Sequence, residues 1–236
     1  MAPFFWHEVG RQLKNPSGRL GRLAGWLMRY ANARSNALAV EALCPAAGER
    51  ILELGCGPGR ALKMLLACPE IEEVIGIDHS ALMLVEARRL NRHAREHHRL
   101  RLIECDFAAV PLSSESIDGV LAVNVAYFMS DASAVAEAHR VLRGGGRLVL
   151  YATARESMRR WRFAGPQSHR LYDHVEIEAL FCDGGFSREL IRISVVNAGF
   201  GVTGFLAVAR KEPADSQLSG RPWDSAPVSA RGGHIA

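Results

Sequence analysis

An acidic side chain followed by closely spaced glycines stands in the stretch ILELGCGPGR, residues 51–60. Glu53 interrupts an apolar run, and Gly55, Gly57 and Gly59 follow at every second position. Glycine permits positive φ and lets a ligand approach the main chain, and free N–H groups at a helix start can face that ligand. Since a helical pattern follows, the stretch predicts a nucleotide-type binding loop, although a glycine–proline cluster after a strand can also be an ordinary turn.

Further side chains suited to binding follow the next predicted strands. Asp78 lies nineteen residues beyond Gly59, where an acidic residue can bind both hydroxyls of a ribose. Asp106 with Phe107 is a polar and aromatic pair suited to the amino group and the face of an adenine. Each residue also has a simpler interpretation: Asp78 can cap the next helix, Asp106 can be a turn residue, and Phe107 can belong to the core. Because ligands bind at the carboxyl ends of strands in open parallel sheets, their ordered occurrence favours a nucleotide site.

Two classes of nucleotide cofactor can be compared at this loop. A nicotinamide dinucleotide site is typical of Gly-x-Gly-x-x-Gly, which would place its third glycine where Arg60 stands. A carboxylate as near as Glu53 would be unfavourable beside a pyrophosphate and favourable beside the ammonium group of an amino acid. The loop therefore favours a cofactor that carries an amino-acid group.

The elements that must position these residues alternate between strands and helices. Strands are predicted at 50–54, EEVIGID, LRLIECD, SIDGVLAVNV and GGGRLVLYA. Helices are predicted near 59–67, after Ser80 as N-cap, and from Asp131 as N-cap. This alternation predicts an α/β fold with a Rossmann-like, doubly wound, mainly parallel sheet. SRELIRISVV and GVTGFLAVAR, joined by a short loop, add an antiparallel C-terminal hairpin and bring the sheet to seven strands.

Composition excludes several classes of protein. The 236 residues suit a domain with a sizeable core, and the net charge of +4 is too small and scattered to argue for nucleic acid. Five cysteines without a Cys-x-x-Cys spacing argue against a disulfide framework or zinc ribbon and predict reduced thiols in the cytoplasm. No apolar run has the length of a membrane span, and we expect no secretion signal. His93 and His97 lack further ligands, so no metal site is predicted.

The ordered motifs ILELGCGPGR, VIGIDHSALMLVEAR, LIECDFAAVPLSSESIDGVLAVNVAYFM and EAHRVLRGGGRLVL resemble those of class I S-adenosylmethionine-dependent methyltransferases. The type-11 group, which includes ubiquinone and menaquinone methyltransferases, is the most similar. The resemblance covers about residues 48–210 and implies S-adenosyl-L-methionine as cofactor. The cofactor-binding residues that it implies are Glu53, Gly55, Cys56, Gly57, Asp78, His79, Met83, Asp106, Phe107 and Asn124.

The resemblance also implies a division of the chain. We expect residues 1–48 to form an N-terminal helical lid, or simply to cover the sheet, and residues 49–212 to form the methyltransferase domain. Residues 154–174 would be a substrate-side insertion, and 213–236 a flexible tail. The insertion combines arginines with aromatic side chains, which suits an acidic or aromatic acceptor or an exposed charged loop.

The expected function is methyl transfer to a small-molecule acceptor in the cytoplasm. RNA or protein methylation and a cofactor-binding module without turnover are the alternatives. NVAY lacks the paired prolines of enzymes that methylate adenine, asparagine or glutamine nitrogens, which argues against nucleic-acid bases. If the acceptor must lose a proton, Tyr127, His7 and His169 are the candidate general bases.

Overall fold

The computed structural model describes residues 32–93, 99–129, 131–161 and 169–213. Their strands are β1 (Arg50–Leu54), β2 (Glu73–Asp78), β3 (Leu100–Glu104), β4 (Ile117–Val123), β5 (Leu142–Thr153), β6 (Ile191–Asn197) and β7 (Thr203–Arg210). Their α-helices are α1 (Ala33–Leu43), α2 (Arg60–Leu66), α3 (Ala81–Leu90), α4 (Ser133–Val141), α5 (Arg155–Met158) and α6 (His174–Asp183). Short 3₁₀ turns lie at Ala126–Phe128 and Arg188–Leu190. None of these helices has the length and apolar content that crossing a bilayer requires.

The seven strands form one sheet in the order β3-β2-β1-β4-β5-β7-β6. The first five strands in the chain pair in parallel, whereas β7 runs antiparallel to both β5 and β6. β1, β2 and β4 are buried along almost their whole length, as is typical of parallel strands that are covered on both faces. The predicted α/β fold, its mainly parallel sheet and the C-terminal antiparallel hairpin are confirmed.

Two apolar layers fill the space between the sheet and its helices. On one face, α1, α2 and α3 bury side chains such as Leu43 and Leu62 against the strands. On the other face, α4 and α6 do so with side chains such as Val135 and Phe181. Helices on both faces leave the carboxyl edge of β1, β2 and β4 as the place where loops can carry a site.

Two local expectations need correction. Asp131 is not the N-cap of α4, because the cap residue is Ala132; the carboxylate of Asp131 instead accepts from the N–H of Ser133 over 2.8 Å. β5 begins at Leu142, before the predicted GGGRLVLYA, and continues through its glycines. Gly145 adopts a φ of +80°, and the register between β4 and β5 shifts at this point.

A buried arginine fastens the C-terminus of α1 to the sheet. Arg147 on β5 donates to the carbonyls of Leu43 and Cys44 over 2.5 and 2.9 Å, and it pairs with Glu49 at 2.7 Å. These bonds satisfy carbonyls that a helix end leaves unpaired. α1 therefore packs on the sheet as one of its covering helices, with its first turn at the carboxyl edge of β4. Residues 1–31 and 214–236, which hold most of the expected lid and nearly all of the expected tail, lie outside the described residues.

Candidate active site

The glycine-rich loop between β1 and α2 is held in shape by main-chain bonds. The N–H of Cys56 donates to the carbonyl of Ile77, and the N–H of Gly59 donates to the carbonyl of Cys56, both over 2.9 Å. Gly55, Gly57 and Gly59 all have positive φ, at +66°, +50° and +81°. Three left-handed residues this close together explain why the sequence places glycine at every second position.

The three glycines differ in what surrounds them. A side chain at Gly57 would meet no atom within 4 Å, so this position faces open space. At Gly59 the first side-chain carbon would lie 2.9 Å from the main chain of Ala87 on α3, and at Gly55 it would lie 2.6 Å from Val125. Gly57 is therefore the loop glycine that leaves room for a ligand, whereas the other two permit close packing.

Asp78, at the end of β2, bonds to the same loop. Its Oδ2 accepts from the N–H of Gly57 and its Oδ1 from the N–H of Ser80, both over 2.9 Å. Burial raises the pKa of Asp78, while these hydrogen bonds and nearby His79 oppose the rise. A carboxylate oxygen can accept two hydrogen bonds, so Asp78 retains capacity for ligand hydroxyls.

Glu53 carries a buried carboxyl group at the base of the loop. Among the described residues its Oε2 has no hydrogen-bond partner, although the residue is only 3% exposed. Burial raises the pKa of Glu53 well above its ordinary value, and the charge of Asp78 raises it further, while the backbone N–H of Leu62 in α2 lowers it. A buried acceptor without a partner is costly, and a cation from a ligand would satisfy it.

These residues line a cleft at the carboxyl edge of the sheet. Phe107 and His79 meet edge to face in its wall with ring centroids 6.0 Å apart. Asp106 is exposed and outside this lining, and its Oδ1 accepts from the N–H of Ala108 over 2.9 Å. The predicted cofactor residues that do line the cleft are Glu53, Gly55, Cys56, Gly57, Asp78, His79, Met83, Phe107 and Asn124.

Asn124 closes one side of the cleft from the end of β4. Its main chain has a φ of +55°, which is uncommon for a residue with a side chain. Its Nδ2 donates to Oδ1 of Asn32 over 3.0 Å, and its Oδ1 accepts from the hydroxyl of Tyr127 over 2.8 Å. Asn124 thus joins the N-cap residue of α1 to the sheet. Sequence reasoning did not single out Ser35, Asn36 or Phe128, which also line the site.

Tyr127 is buried beneath Asn124. Besides donating to Asn124, its hydroxyl accepts from the backbone N–H of Thr153. Burial raises the pKa of Tyr127 far above its ordinary value, so the phenol keeps its proton. This geometry suits positioning of the β4 end and does not suit proton abstraction.

A second cavity of about 390 Å³ adjoins the cleft and shares Asn32, Asn124 and Phe128 with it. The described residues of its lining include no lysine, arginine, aspartate or glutamate. His169 is buried in its wall, with its ring centroid 5.1 Å from that of Phe128. His169 and Tyr127 therefore adjoin this cavity, whereas His7 lies outside the described residues.

The described arginines of the expected insertion are not part of the cavity lining. Arg155 pairs with Asp173 at 3.1 Å and with Glu176, and the guanidinium of Arg170 lies 5.2 Å from the ring centre of Tyr172. Arg160 donates to the carbonyl of Gly201 over 3.1 Å. Of the described residues in this segment, the cavity is lined by Met158, Trp161 and His169.

The part of the chain that the structure describes contains no group of three or more histidine, cysteine, aspartate or glutamate side chains placed to hold a metal ion.

Comparisons with known proteins relate this chain to methyltransferases. Residues 52–150 match the sequence profile of a family described as a methyltransferase domain. The chain is 35% identical over 222 residues to an uncharacterized 37.1 kDa protein in transposon TN4556 of Streptomyces fradiae, covering 85% of this chain and 62% of that protein. It is 34% identical over 121 residues to demethylmenaquinone methyltransferase of Thermus thermophilus, covering 51% and 54%. The chain thus spans less than two thirds of either relative.

A solved structure shares the fold. Haemonchus contortus phosphoethanolamine N-methyltransferase 2, in complex with S-adenosyl-L-methionine, superposes with a TM-score of 0.64 at 15% identity. The superposition covers 81% of this chain and 57% of that chain.

Proposed function

We propose that this protein transfers a methyl group from S-adenosyl-L-methionine to a small-molecule acceptor. Its residues 52–150 match a family of methyltransferase domains, and its sheet has the Rossmann-like strand order. One observation carries the proposal: the buried Oε2 of Glu53 has no partner among the described residues and lies in the same cleft as the open face of Gly57. A ligand with a cationic amino group beside a flexible polar chain matches that arrangement.

The residues present fit this cofactor. Glu53 would accept from the amino group of its methionine part, and Gly57 leaves the main chain open to it. Asp78 would accept from the ribose hydroxyls, with Phe107 and His79 beside the base. Asp106, at the exposed rim, remains our candidate for the amino group of the adenine. Two carboxylates facing one cleft would repel a pyrophosphate, which again disfavours a dinucleotide.

We expect the cleft to widen when the cofactor binds. It encloses about 70 Å³ as it stands, less than the roughly 300 Å³ at which small-molecule pockets begin. The larger cavity beside it shares Asn32, Asn124 and Phe128 with the cleft, so a movement of these side chains is the change that we expect to enlarge it.

When bound, the cofactor supplies a methyl group on a positively charged sulfonium, which an aligned nucleophile can displace. The chain's own contribution is alignment and exclusion of water, and the apolar cavity beyond Asn124 provides both. Tyr127 holds Asn124 in place and keeps its proton. His169, in the cavity wall, is the side chain that we propose accepts a proton from a hydroxyl acceptor.

The proposal is tested with purified protein and S-adenosylmethionine labelled in its methyl group. We expect label to enter a small-molecule extract and expect S-adenosylhomocysteine to bind in calorimetry. Label in RNA or protein alone would favour those acceptors instead. Binding of S-adenosylhomocysteine without labelling of any fraction would favour a module without turnover.

We place the reaction in the cytoplasm because all five cysteines are free thiols, as a reducing compartment maintains them.

A further inference from the structure

The turn between β6 and β7 has an unusual main chain. Gly199, Phe200 and Gly201 all have positive φ, at +94°, +52° and +71°. A phenylalanine in this conformation is strained, because its side chain crowds the main chain where glycine would not. The turn is closed by hydrogen bonds from Ala198 to Val202 and from Val202 to Gly199. The strained residue is therefore held in place by a defined turn.

Phe200 is also fully exposed, at 108% of its reference area. A large aromatic ring gains free energy when it leaves water, and here it gains none. Neither the strain nor the exposure contributes to the fold of the described residues. Such a combination, where the surrounding structure maintains it, points to a role in binding.

The same turn borders the cavity beside the cleft. Phe200 and Val202 line it, and Trp161 lines it from the segment after α5. Arg160, next to Trp161, donates to the carbonyl of Gly201 over 3.1 Å and so joins the two walls. Phe200 is thus the fully exposed member of a cavity lining that also contains buried side chains such as Tyr127, so its ring lies on the solvent side of the cavity.

We infer that Phe200 is a specificity-determining residue, whose ring covers the outer part of an uncharged, largely apolar acceptor bound in this cavity. The inference rests on the proposed function for the identity of the occupant as a methyl acceptor. The described lining residues include no lysine, arginine, aspartate or glutamate, so their surface is better suited to an uncharged acceptor than to a charged one. An apolar occupant would bury the ring that the free protein leaves in water.

The experiment uses two fluorescent probes with one ring skeleton. N-phenyl-1-naphthylamine is uncharged, and 8-anilinonaphthalene-1-sulfonate adds an anionic sulfonate. We expect the full chain to bind the uncharged probe at least tenfold more tightly than the anionic one. Phe200→Ala should weaken binding of the uncharged probe about tenfold, the change that about 1.4 kcal/mol produces. Val195→Ala, which shortens another exposed side chain of the same hairpin outside the cavity lining, should leave it unchanged.

Two further variants exclude trivial explanations. Val202→Trp should fill the cavity and abolish binding of the uncharged probe. Phe200→Gly should weaken binding of the uncharged probe as Phe200→Ala does. Its thermal unfolding midpoint should stay the same or rise, because glycine relieves the strain of the positive φ. Equal binding of the two probes, equal effects of Phe200→Ala and Val195→Ala, or full binding by Val202→Trp would each overturn the inference. Titration with S-adenosylhomocysteine runs in parallel: its failure to bind while the probe results hold would remove the proposed function and leave the cavity assignment standing.

Discussion

The N–H of Gly57 donates to Oδ2 of Asp78 over 2.9 Å, which fastens the loop after β1 to the end of β2. The other carboxylate oxygen accepts from Ser80 at the start of α3. The residue that we expect to bind the ribose therefore also fixes the shape of the loop that would hold the methionine part. Its roles in ligand binding and in local structure can be separated by substitution.

We expect Asp78→Ala to lower affinity for S-adenosylhomocysteine about a hundredfold, or on the order of 3 kcal/mol, because bonds to a charged acceptor are lost. The free energy of unfolding should fall by about 1–3 kcal/mol, since two N–H groups lose their acceptor. Asp78→Asn retains one acceptor oxygen and should lose less stability while still binding weakly. Calorimetry and urea unfolding measure the two effects. Unchanged affinity in both variants would contradict the ribose assignment.

Glu53 should make stability and binding depend on pH. Its pKa is raised in the folded state, so its contribution to stability is complete below its ordinary value of 4.5 and is lost as pH rises through the folded-state pKa. Above that range Glu53→Gln should be more stable than the wild-type protein. The same variant should bind S-adenosylhomocysteine roughly thirtyfold more weakly, about 2 kcal/mol, because the amino group loses a charged acceptor.

Proton release gives an independent reading of the same residue. An ammonium group beside Glu53 favours the carboxylate, so the wild-type protein should release a proton on binding wherever the free carboxyl is protonated. Calorimetry in buffers of different ionisation enthalpy measures this release. If Glu53→Gln released as many protons as the wild-type protein, Glu53 would not be the group that faces the amino group.

Gly57 and Gly59 form a matched pair of positions in one loop. Gly57→Val should abolish cofactor binding and lower the free energy of unfolding by only about 1–2 kcal/mol, the strain of a left-handed residue, since the added side chain meets open space. Gly59→Val should be more damaging, by roughly 2–5 kcal/mol, because strain adds to overpacking against α3. Circular dichroism and thermal unfolding compare the two. A Gly57→Val protein that is unfolded would show that this glycine is structural.

Tyr127 and His169 can be told apart by the shape of the pH–rate profile. Tyr127→Phe removes a hydrogen bond to Asn124 and leaves the N–H of Thr153 without its acceptor, so we expect a loss of about 1–3 kcal/mol of stability. Turnover should fall while the profile keeps its shape, because a phenol with a strongly raised pKa does not act as the base. His169→Gln should remove the part of the profile in which the rate rises with pH, because that rise reports deprotonation of the general base. Loss of that rise in Tyr127→Phe instead would reverse the two roles.

The sequence predicts those features that arise from local pattern. Apolar runs that alternate with helical spacing are enough to predict the succession of strands and helices along the chain. The glycines after Glu53 indicate a loop that requires left-handed residues. The N-cap of α4 is Ala132, one residue after the predicted Asp131. An aspartate can accept from the N–H two residues later as readily as it can cap a helix, so the sequence pattern does not separate the two cases.

The remaining features depend on contacts between distant parts of the chain. Asn32 and Asn124 bond across ninety-two positions, and no local pattern indicates such a pair. The arginines after β5 were conspicuous as charges, but whether Arg155 faces an acceptor or Asp173 depends on where α6 packs. The second cavity, beside the cleft, is likewise formed by residues at α1, after β4, on β5 and in the β6–β7 turn, so it exists only when these segments are assembled.

The clamp formed by Arg147 has a consequence for synthesis on the ribosome. The carbonyls of Leu43 and Cys44 at the end of α1 accept from Arg147, which lies 104 and 103 residues later in the chain, and β5 in turn pairs with β7. While β5 is still inside the ribosomal exit tunnel, Arg147 cannot hold the end of α1 on the sheet. Asn32, at the start of α1, is then not yet held beside Asn124. The edge of the sheet that carries the candidate site is therefore completed only after β5 has emerged from the ribosome.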